Sequence, residues 1–148
     1  MVSLTLSKTE VGLYSGKEGL KSIMEDILWN KPKTWYSITS SGKGTMTLPF
    51  YIPQIHEKRV KQKITLKIIF GKNQDAIKRS KELLKYSLTQ GKFLDTRYVI
   101  PLSLWIYGDK VAFMIWESEI GILIENKETA KTFGRYFEIL WKISKQNI

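Results

Sequence analysis

Apolar residues recur at two different spacings along the chain, and the difference separates predicted helices from predicted strands. Between residues 16 and 30 they recur every three or four positions, which indicates a helix with one buried face. Residues 63–70 and 102–107 are instead short, nearly continuous apolar runs, which are typical of strands covered on both faces. The same reasoning predicts further strands at residues 10–14 and 33–39, and the alternation at residues 2–8 indicates either an edge strand or the tail of an upstream segment.

Residues that favour helix ends mark where the predicted helices begin and stop. Ser15 and Glu18 have the spacing of a capping box, in which a hydroxyl and a carboxylate satisfy each other's exposed amides. Pro32 stops that helix because proline cannot continue the hydrogen-bond ladder. Asn73 is predicted to cap a later helix that closes at Gly91. That later helix is predicted to bury Ile77, Leu83, Leu84 and Leu88, and a shorter helix before it is predicted to contain Ile55, Arg59 and Val60.

The C-terminal third of the chain predicts a hairpin, a further strand and a closing helix. Two apolar runs, residues 102–107 and 110–116, are separated by Gly108-Asp109, a pair suited to a tight turn. A third run spans residues 120–125, and Asn126 is then predicted to cap the last helix. The buried face of that helix is predicted to comprise Ala130, Phe133, Phe137, Leu140 and Trp141. We therefore expect the centre of the sheet in this stretch.

Strands and helices alternate along most of the chain, which predicts an α/β fold with a mostly parallel or mixed sheet and helices on both faces. The 148 residues are one domain by size, and no linker, repeat or low-complexity segment divides residues 1–148. No apolar run approaches the ~20 residues that a membrane span needs, and no basic-then-apolar leader opens the chain. We expect a cytoplasmic protein without membrane contact.

The residue types that form disulfides and most zinc sites are scarce in this sequence. The chain has no cysteine, which excludes disulfides and thiolate metal sites. His56 is the one histidine, which argues against a histidine-based zinc site. The sequence therefore predicts neither a metal nor a cofactor.

Positive charge is the unusual bulk property of the sequence. The chain has 24 Lys and Arg residues against 14 Asp and Glu residues, a net charge of +10. Residues 56–85 contain ten of the basic residues and three of the acidic ones. Such a surplus favours anionic partners such as nucleic acid. Lys78, Lys81 and Lys85, however, also have the spacing of an ordinary solvent-facing helix stripe.

A loop of small residues, 40–45, follows the predicted strand at residues 33–39. Loops at the carboxyl ends of strands commonly hold ligands in α/β proteins. The spacing does not match a P-loop, so nucleotide hydrolysis has no support. Trp105 and Trp116 lie on predicted strands, where they either stack on a sugar or a base or simply fill the core.

Three stretches of the chain carry a family resemblance. They are LYSGKEGLKSIMEDIL (13–28), HEKRVKQKITLKII (56–69), and LWIYGDKVAFMIW with the following IGILIEN and FGRYFEILWK (104–142). These patterns resemble the C-terminal effector domain of archaeal transcription regulators of the TrmB type. The resemblance implies a phospholipase D-like fold, a homodimer, and an effector such as a sugar or an anion. In that family a separate helix-turn-helix module contacts DNA. The stretch before Glu10 is too short for one, so we expect either a domain of a longer regulator or a stand-alone relative.

The resemblance also allows a test for catalysis. Phospholipase D chemistry needs the pattern His-x-Lys-x4-Asp, in which the histidine is the nucleophile and the lysine holds the phosphate. If Gly108 stands at the position of the aspartate, Pro101 and Ser103 take the histidine and lysine positions, and a register shifted by one residue gives two leucines. The other candidate begins at His56 but has Lys63 where the aspartate belongs. We therefore predict no catalytic residue and no enzymatic activity, with His56 a partly exposed helix residue.

The function that the sequence favours is a non-catalytic effector-binding and dimerisation domain of a TrmB-type regulator. A planar guanidinium recognises anionic or hydroxyl-rich ligands well, and the predicted ligand contacts are Ser40, Ser41, Arg59, Arg97 and Trp116. The alternative is a stand-alone nucleic-acid-binding protein that uses the basic segment 58–85. Its predicted contacts are Lys58, Arg59, Lys61, Lys78, Lys81 and Lys85.

Overall fold

A computed structural model of the protein describes residues 8–39 and 43–146, and these residues form seven strands and five α-helices. The strands are β1 (Glu10–Ser15), β2 (Thr34–Thr39), β3 (Thr65–Gly71), β4 (Thr89–Leu94), β5 (Ser103–Tyr107), β6 (Lys110–Ile115) and β7 (Ile120–Glu125). The helices are α1 (Gly16–Asn30), α2 (Lys43–Thr47), α3 (Tyr51–Lys61), α4 (Gln74–Leu83) and α5 (Lys127–Ile143). The strand predicted at residues 2–8 lies outside the described residues, apart from Lys8, which is not in a strand.

The strands form one mixed sheet in the order β1-β7-β6-β5-β2-β3-β4. Its middle strand is β5, the first strand of the predicted hairpin. Parallel pairing is confined to β2, β3 and β4, and the remaining neighbours are antiparallel. We call the edge where β2, β3 and β4 begin the amino edge, and the edge where they end the carboxyl edge. The predicted α/β fold is confirmed, with less parallel pairing than the alternation of elements indicated.

Helices cover both faces of the sheet, as predicted. On one face α1, α3 and α4 bury Ile23, Ile55 and Phe70 in one apolar cluster. On the other face α5 buries Phe137 against Ile106 in a second cluster. Successive residues of a strand point to opposite faces, so each buried strand supplies both clusters. None of the described helices is both long and apolar enough to cross a membrane.

Strand β4 is the element that the sequence pattern did not predict. Helix α4 ends at Leu83, and Gly91, the predicted helix end, lies inside β4. A Cβ at Gly91 would lie 3.3 Å from Phe70 Cε2, so this glycine allows close packing beside β3. Leu84 and Leu88 were predicted to be buried but are 47% and 42% exposed. They lie in the connection after the helix and not on its buried face.

Two of the three predicted helix caps are present. The side chains of Asn73 and Asn126 each accept a backbone N–H at 2.8 Å. Ser15 occupies the N-cap position of α1, but its side chain makes no capping hydrogen bond. The amide of Gly16 instead donates to the carbonyl oxygen of Glu119 at 2.7 Å. Backbone from the turn before β7 therefore satisfies the start of α1, and the predicted capping box is not formed.

Gly121 in β7 lies directly under α1 and provides a test of this packing. A Cβ there would overlap Ile23 Cδ1, and Ile23 is fully buried. Gly121→Ala should therefore lower the free energy of unfolding by about 1–3 kcal/mol through overpacking. Gly134, inside α5, is the matched control because nothing lies within 4 Å of an added Cβ. Gly134→Ala should raise the free energy of unfolding by about 0.5–1 kcal/mol. Urea unfolding measures both, and equal effects would contradict the close contact.

Candidate nucleic-acid interface

Three connections lie side by side along the amino edge of the sheet. They lead from α1 to β2, from α3 to β3 and from α4 to β4. Neighbouring strands are about 4.8 Å apart, so the three connections span roughly 10 Å. Hydrogen bonds join them directly, since Thr65 N donates to Lys33 O at 3.1 Å and Leu66 N donates to Leu88 O at 2.8 Å. The connections therefore form one continuous surface.

Lysines crowd this surface, and we call the group the basic edge. It comprises Lys31, Lys33, Lys58, Lys61, Lys63 and Lys85, all of which are exposed. Among the described residues none of the six forms an ion pair. The connections themselves, residues 31–33, 62–64 and 84–88, contain no Asp or Glu. The basic edge is thus a local surplus of positive charge in contact with solvent.

The backbone of all three connections passes through the left-handed region at a residue other than glycine. The φ angles are 47° at Lys31, 61° at Lys63 and 54° at Leu88. Glycine is the usual residue at such helix ends because a Cβ is strained there. Two of these three positions hold a lysine instead of a glycine. The chain thus accepts backbone strain at positions where the side chain carries a positive charge. Strain of this kind is a reason to look for a function.

Arg59, on α3, is the residue that holds the connections together from beneath. Its side chain is fully buried. Its Nη1 donates to Ile64 O at 3.1 Å and to Leu88 O at 3.0 Å, and its Nη2 donates to Thr89 Oγ1. Burial lowers the pKa of Arg59 to about 10. The prediction that Arg59 contacts a ligand or nucleic acid is corrected by this geometry, because its guanidinium is occupied by protein atoms.

His56 lies one helical turn before Arg59 and completes the buried polar group. Its Nδ1 accepts a hydrogen bond from Arg59 Nε at 2.9 Å, and its ring stacks on Trp35 with a centroid distance of 5.8 Å. It is 4% exposed, not partly exposed as predicted. Burial, reinforced by Arg59 and Arg79, holds the pKa of His56 well below its usual range.

The other predicted ligand contacts are not brought together with Arg59. Ser40 and Ser41 lie outside the described residues, and part of the predicted loop forms the short helix α2. Arg97 is exposed beyond β4, where it pairs with Asp95 at 3.1 Å. Trp116 is buried at the carboxyl edge and donates its Nε1 to Ser103 Oγ at 2.9 Å. Arg59 faces the opposite edge, so these residues do not line one site.

The predicted nucleic-acid contacts divide into two groups. Lys58, Lys61 and Lys85 belong to the basic edge, whereas Lys78 lies in a separate cleft with Asp75 and Glu82. Lys81 is exposed one turn before the end of α4. Sequence reasoning missed Lys31 and Lys33, which precede the basic segment in the chain, and it did not include Lys63, which lies within that segment. The available signal was the recurrence of lysine one or two residues after the end of α1, α3 and α4.

Ser103 and Trp105 lie on β5, the strand on which most of the phospholipase D pattern would fall in this chain. Gly108 has a φ of 56° at the β5–β6 turn, and Ser103, which stands at the lysine position if Gly108 replaces the aspartate, is the first residue of β5. Ser103 is buried, and its Oγ lies 3.0 Å from Thr39 Oγ1. Trp105 is buried and meets Trp116 edge-on, so neither tryptophan is open to stack on a sugar or a base. No group of three or more His, Cys, Asp or Glu side chains that could hold a metal is found among the described residues.

The sheet order and the two helical layers define an α/β fold of the phospholipase D-like class. The chain is similar to NucT from Helicobacter pylori, with a TM-score of 0.68 and 12% identity over 95% of this chain and 100% of that one. It is similar to the same extent to Nuc from Salmonella typhimurium, a phospholipase D family member, with a TM-score of 0.68 and 12% identity over 95% of this chain and 99% of that one. No protein-family model and no curated protein sequence matches the chain.

A third similar structure is TrmBL2, an archaeal chromatin protein that shows a novel mode of DNA binding. The TM-score is 0.64 and the identity 15%, over 91% of this chain and 51% of TrmBL2. The chain therefore spans about half the length of that protein. Likeness at this level of identity establishes the phospholipase D-like fold.

The prediction that the chain is not an enzyme is contradicted by these likenesses. It rested on the missing His-x-Lys pattern and on the resemblance to regulators. The structures that match almost the whole chain, however, include a phospholipase D family member. The missing pattern describes one constellation of side chains, whereas the fold that hosts phosphodiesterases is present along 95% of the chain.

Replacement of Arg59 tests its structural role. Arg59→Met removes the guanidinium donors to Ile64 O and Leu88 O and leaves the buried Nδ1 of His56 without its donor, so it should lower the free energy of unfolding by about 2–4 kcal/mol. Arg97→Met is the matched control, because Arg97 is exposed and its ion pair with Asp95 is open to solvent. Chemical unfolding should show a much smaller change for that control. Similar losses in the two variants would contradict the role of Arg59.

His56 should make the stability of the protein depend on pH. Because its pKa is lowered on folding, the unfolded chain binds the proton first, so stability should fall as pH drops below about 6.5. The slope contributed by one proton is at most about 1.4 kcal/mol per pH unit. His56→Asn keeps an acceptor for Arg59 and removes the titration, so its stability should fall less between pH 6.5 and 5. Parallel profiles for the two proteins would exclude His56 as the cause.

Proposed function

We propose that this protein binds nucleic acid and that the basic edge contacts the phosphate backbone. The observation that carries the proposal is the convergence of six exposed lysines at the amino edge, four on the three connections and two in the last turn of α3, none of which forms an ion pair with a described residue. Lysines at helix ends also stabilise the negative end of the helix dipole. That effect does not explain why lysine occupies residues 31 and 63, two positions whose backbone conformation favours glycine.

The chemistry of the basic edge favours backbone contact over recognition of base sequence. An ammonium group is a compact, mobile charge that contacts phosphate oxygens without a fixed geometry. Base edges are recognised instead by paired donors and acceptors, most often from Arg, Asn or Gln. The six members of the basic edge are all lysines, and the one arginine beside them, Arg59, is buried. We therefore expect binding that depends little on sequence and strongly on salt.

One of the similar structures supports this proposal. TrmBL2 is described as a DNA-binding chromatin protein, and this chain matches about half of it. Sequence identities of 12–15% establish only the fold. The argument that this chain binds nucleic acid therefore depends on its own lysines. Among the partners implied by the TrmB resemblance, DNA is the one that the surface of this chain favours.

A second candidate is an effector-binding or dimerisation domain of a TrmB-type regulator. The match to about half of TrmBL2 favours it, since a regulator would then carry its remaining modules elsewhere. In this view residues 1–148 form a single phospholipase D-like domain that pairs with a second copy. The scattering of Arg59, Arg97 and Trp116 over opposite edges of the sheet weakens the effector site that the sequence predicted. We therefore rank nucleic-acid binding first.

Replacing two strained lysines with glycine separates binding from stability. Lys31→Gly together with Lys63→Gly removes two charges from the basic edge and relieves two positive φ angles. The melting temperature should stay the same or rise, while affinity for a labelled DNA duplex should fall. The slope of log affinity against log salt should become shallower by about 1.8, or 0.9 per lost phosphate contact. Fluorescence anisotropy at several salt concentrations measures both quantities.

The control removes the same charge from the other face of the sheet. Lys131→Gln with Lys142→Gln changes two exposed lysines of α5, and its salt slope should match that of the unaltered protein. Equal losses in the two double variants would show that net charge alone attracts DNA, and the basic edge would be rejected. Sizing the DNA by electrophoresis after each titration reports whether it has been cleaved.

A further inference from the structure

A small cavity lies between the sheet and helices α2, α3 and α4, towards the carboxyl edge. Its volume is about 60 Å³, which is roughly four times the space that one buried water needs. One wall is apolar and is formed by Ile52, Leu66 and Ile68. The polar lining includes no Asp or Glu among the described residues. The cavity therefore combines an apolar wall with polar groups that carry no negative charge.

Two polar atoms of the lining are buried without a partner. Trp35 Nε1 and Thr45 Oγ1 have no hydrogen-bond partner among the described residues, and Trp35 is 3% exposed. An indole N–H is a donor only, and leaving a buried donor unsatisfied costs about 1–3 kcal/mol. An acceptor that enters the cavity would remove this cost.

His56 and Arg79 add donors to the same lining. Since Arg59 Nε donates to His56 Nδ1, the neutral imidazole must carry its proton on Nε2. No described residue accepts that proton. Arg79 also lines the cavity, and its one carboxylate partner among the described residues is Glu82 at 3.1 Å. Donors from three side chains therefore surround a space that offers them no anionic acceptor.

We propose that the cavity binds a small monocarboxylate of the size of acetate or propionate. A carboxylate is acceptor-only and has sites for several donors, which matches the N–H groups of Trp35 and His56 and the guanidinium of Arg79. Its alkyl end fits the wall formed by Ile52, Leu66 and Ile68. An inorganic phosphate has no apolar part to place against that wall. Water can accept from the N–H of Trp35 and donate to a hydroxyl such as Thr45 Oγ1, but it has neither a negative charge to match Arg79 nor an alkyl end for the apolar wall.

Sodium acetate is the probe for this site, and the indole N–H of Trp35 is the reporter. In ¹H–¹⁵N spectra the Trp35 signal, assigned with Trp35→Phe, should shift and saturate as acetate is added. Sodium chloride at equal ionic strength should not produce the shift. The melting temperature should rise over the same acetate range, because the ligand binds the folded state. A shift that does not saturate, or one that chloride reproduces, would overturn the proposal.

Two variants locate the binding within the cavity. Thr45→Val removes one hydroxyl at nearly constant shape and should weaken acetate binding about fivefold, as for the loss of one hydrogen bond. Arg79→Gln removes the charge and should weaken it by about tenfold or more. Thr132→Val, on the far face in α5, is the matched control and should leave acetate affinity unchanged. Unchanged affinity in both cavity variants would place the acetate elsewhere and overturn the proposal.

Discussion

The buried guanidinium of Arg59 is the interaction on which the parallel half of the sheet depends. It reaches from α3 to the start of β3 through Ile64 O and to the start of β4 through Leu88 O. These carbonyl groups lie in connections whose backbones pass through the left-handed region at Lys63 and Leu88. A buried charge is expensive unless its hydrogen bonds are satisfied. Here the donors are matched by backbone carbonyls, a hydroxyl and a histidine nitrogen, so the charge fixes both strained connections.

The hydrogen bonds of Arg59 to the two connections explain how the amino edge tolerates its positive charge. Six lysines without carboxylate partners repel one another, and flexible connections would relax by moving apart. Hydrogen bonds between the connections and the clamp beneath them prevent this relaxation, so the charge remains concentrated. Positive charge that is held in place and left unpaired has the features of a surface that meets phosphate groups. The carboxyl edge differs, because there Ser103, Thr39 and Trp116 satisfy one another in the interior.

The sequence pattern was sufficient where a local rule decides the structure. Asn73 and Asn126 were recognisable as caps, and the Gly108 turn fixed the hairpin, because each depends on neighbours in the chain. The sequence pattern failed where a residue distant in the chain decides the structure. Gly91 was predicted to end a helix, but it lies in β4 beside Phe70 of the adjacent strand. Arg59 was misassigned for the same reason, since composition suggests an exposed arginine and only the packing of α3 shows its burial. Three of the six lysines of the basic edge were predicted. Lys31 and Lys33 were not, because the strand order, and not proximity in the chain, brings them to this edge.

The hydrogen bond between Arg59 and His56 also links the basic edge to the cavity. The guanidinium fixes the tautomer of the neutral imidazole by donating to Nδ1, so the ring carries its proton on Nε2, and His56 also lines the cavity. One buried cation therefore sets the geometry of the basic edge and the donor character of a cavity near the opposite edge. A protonated His56 cannot accept from Arg59, so acid breaks the hydrogen bond that links the two features, while Nε2 remains a donor. Burial, reinforced by the positive charges of Arg59 and Arg79, lowers the pKa of His56 and so keeps the ring neutral in this arrangement.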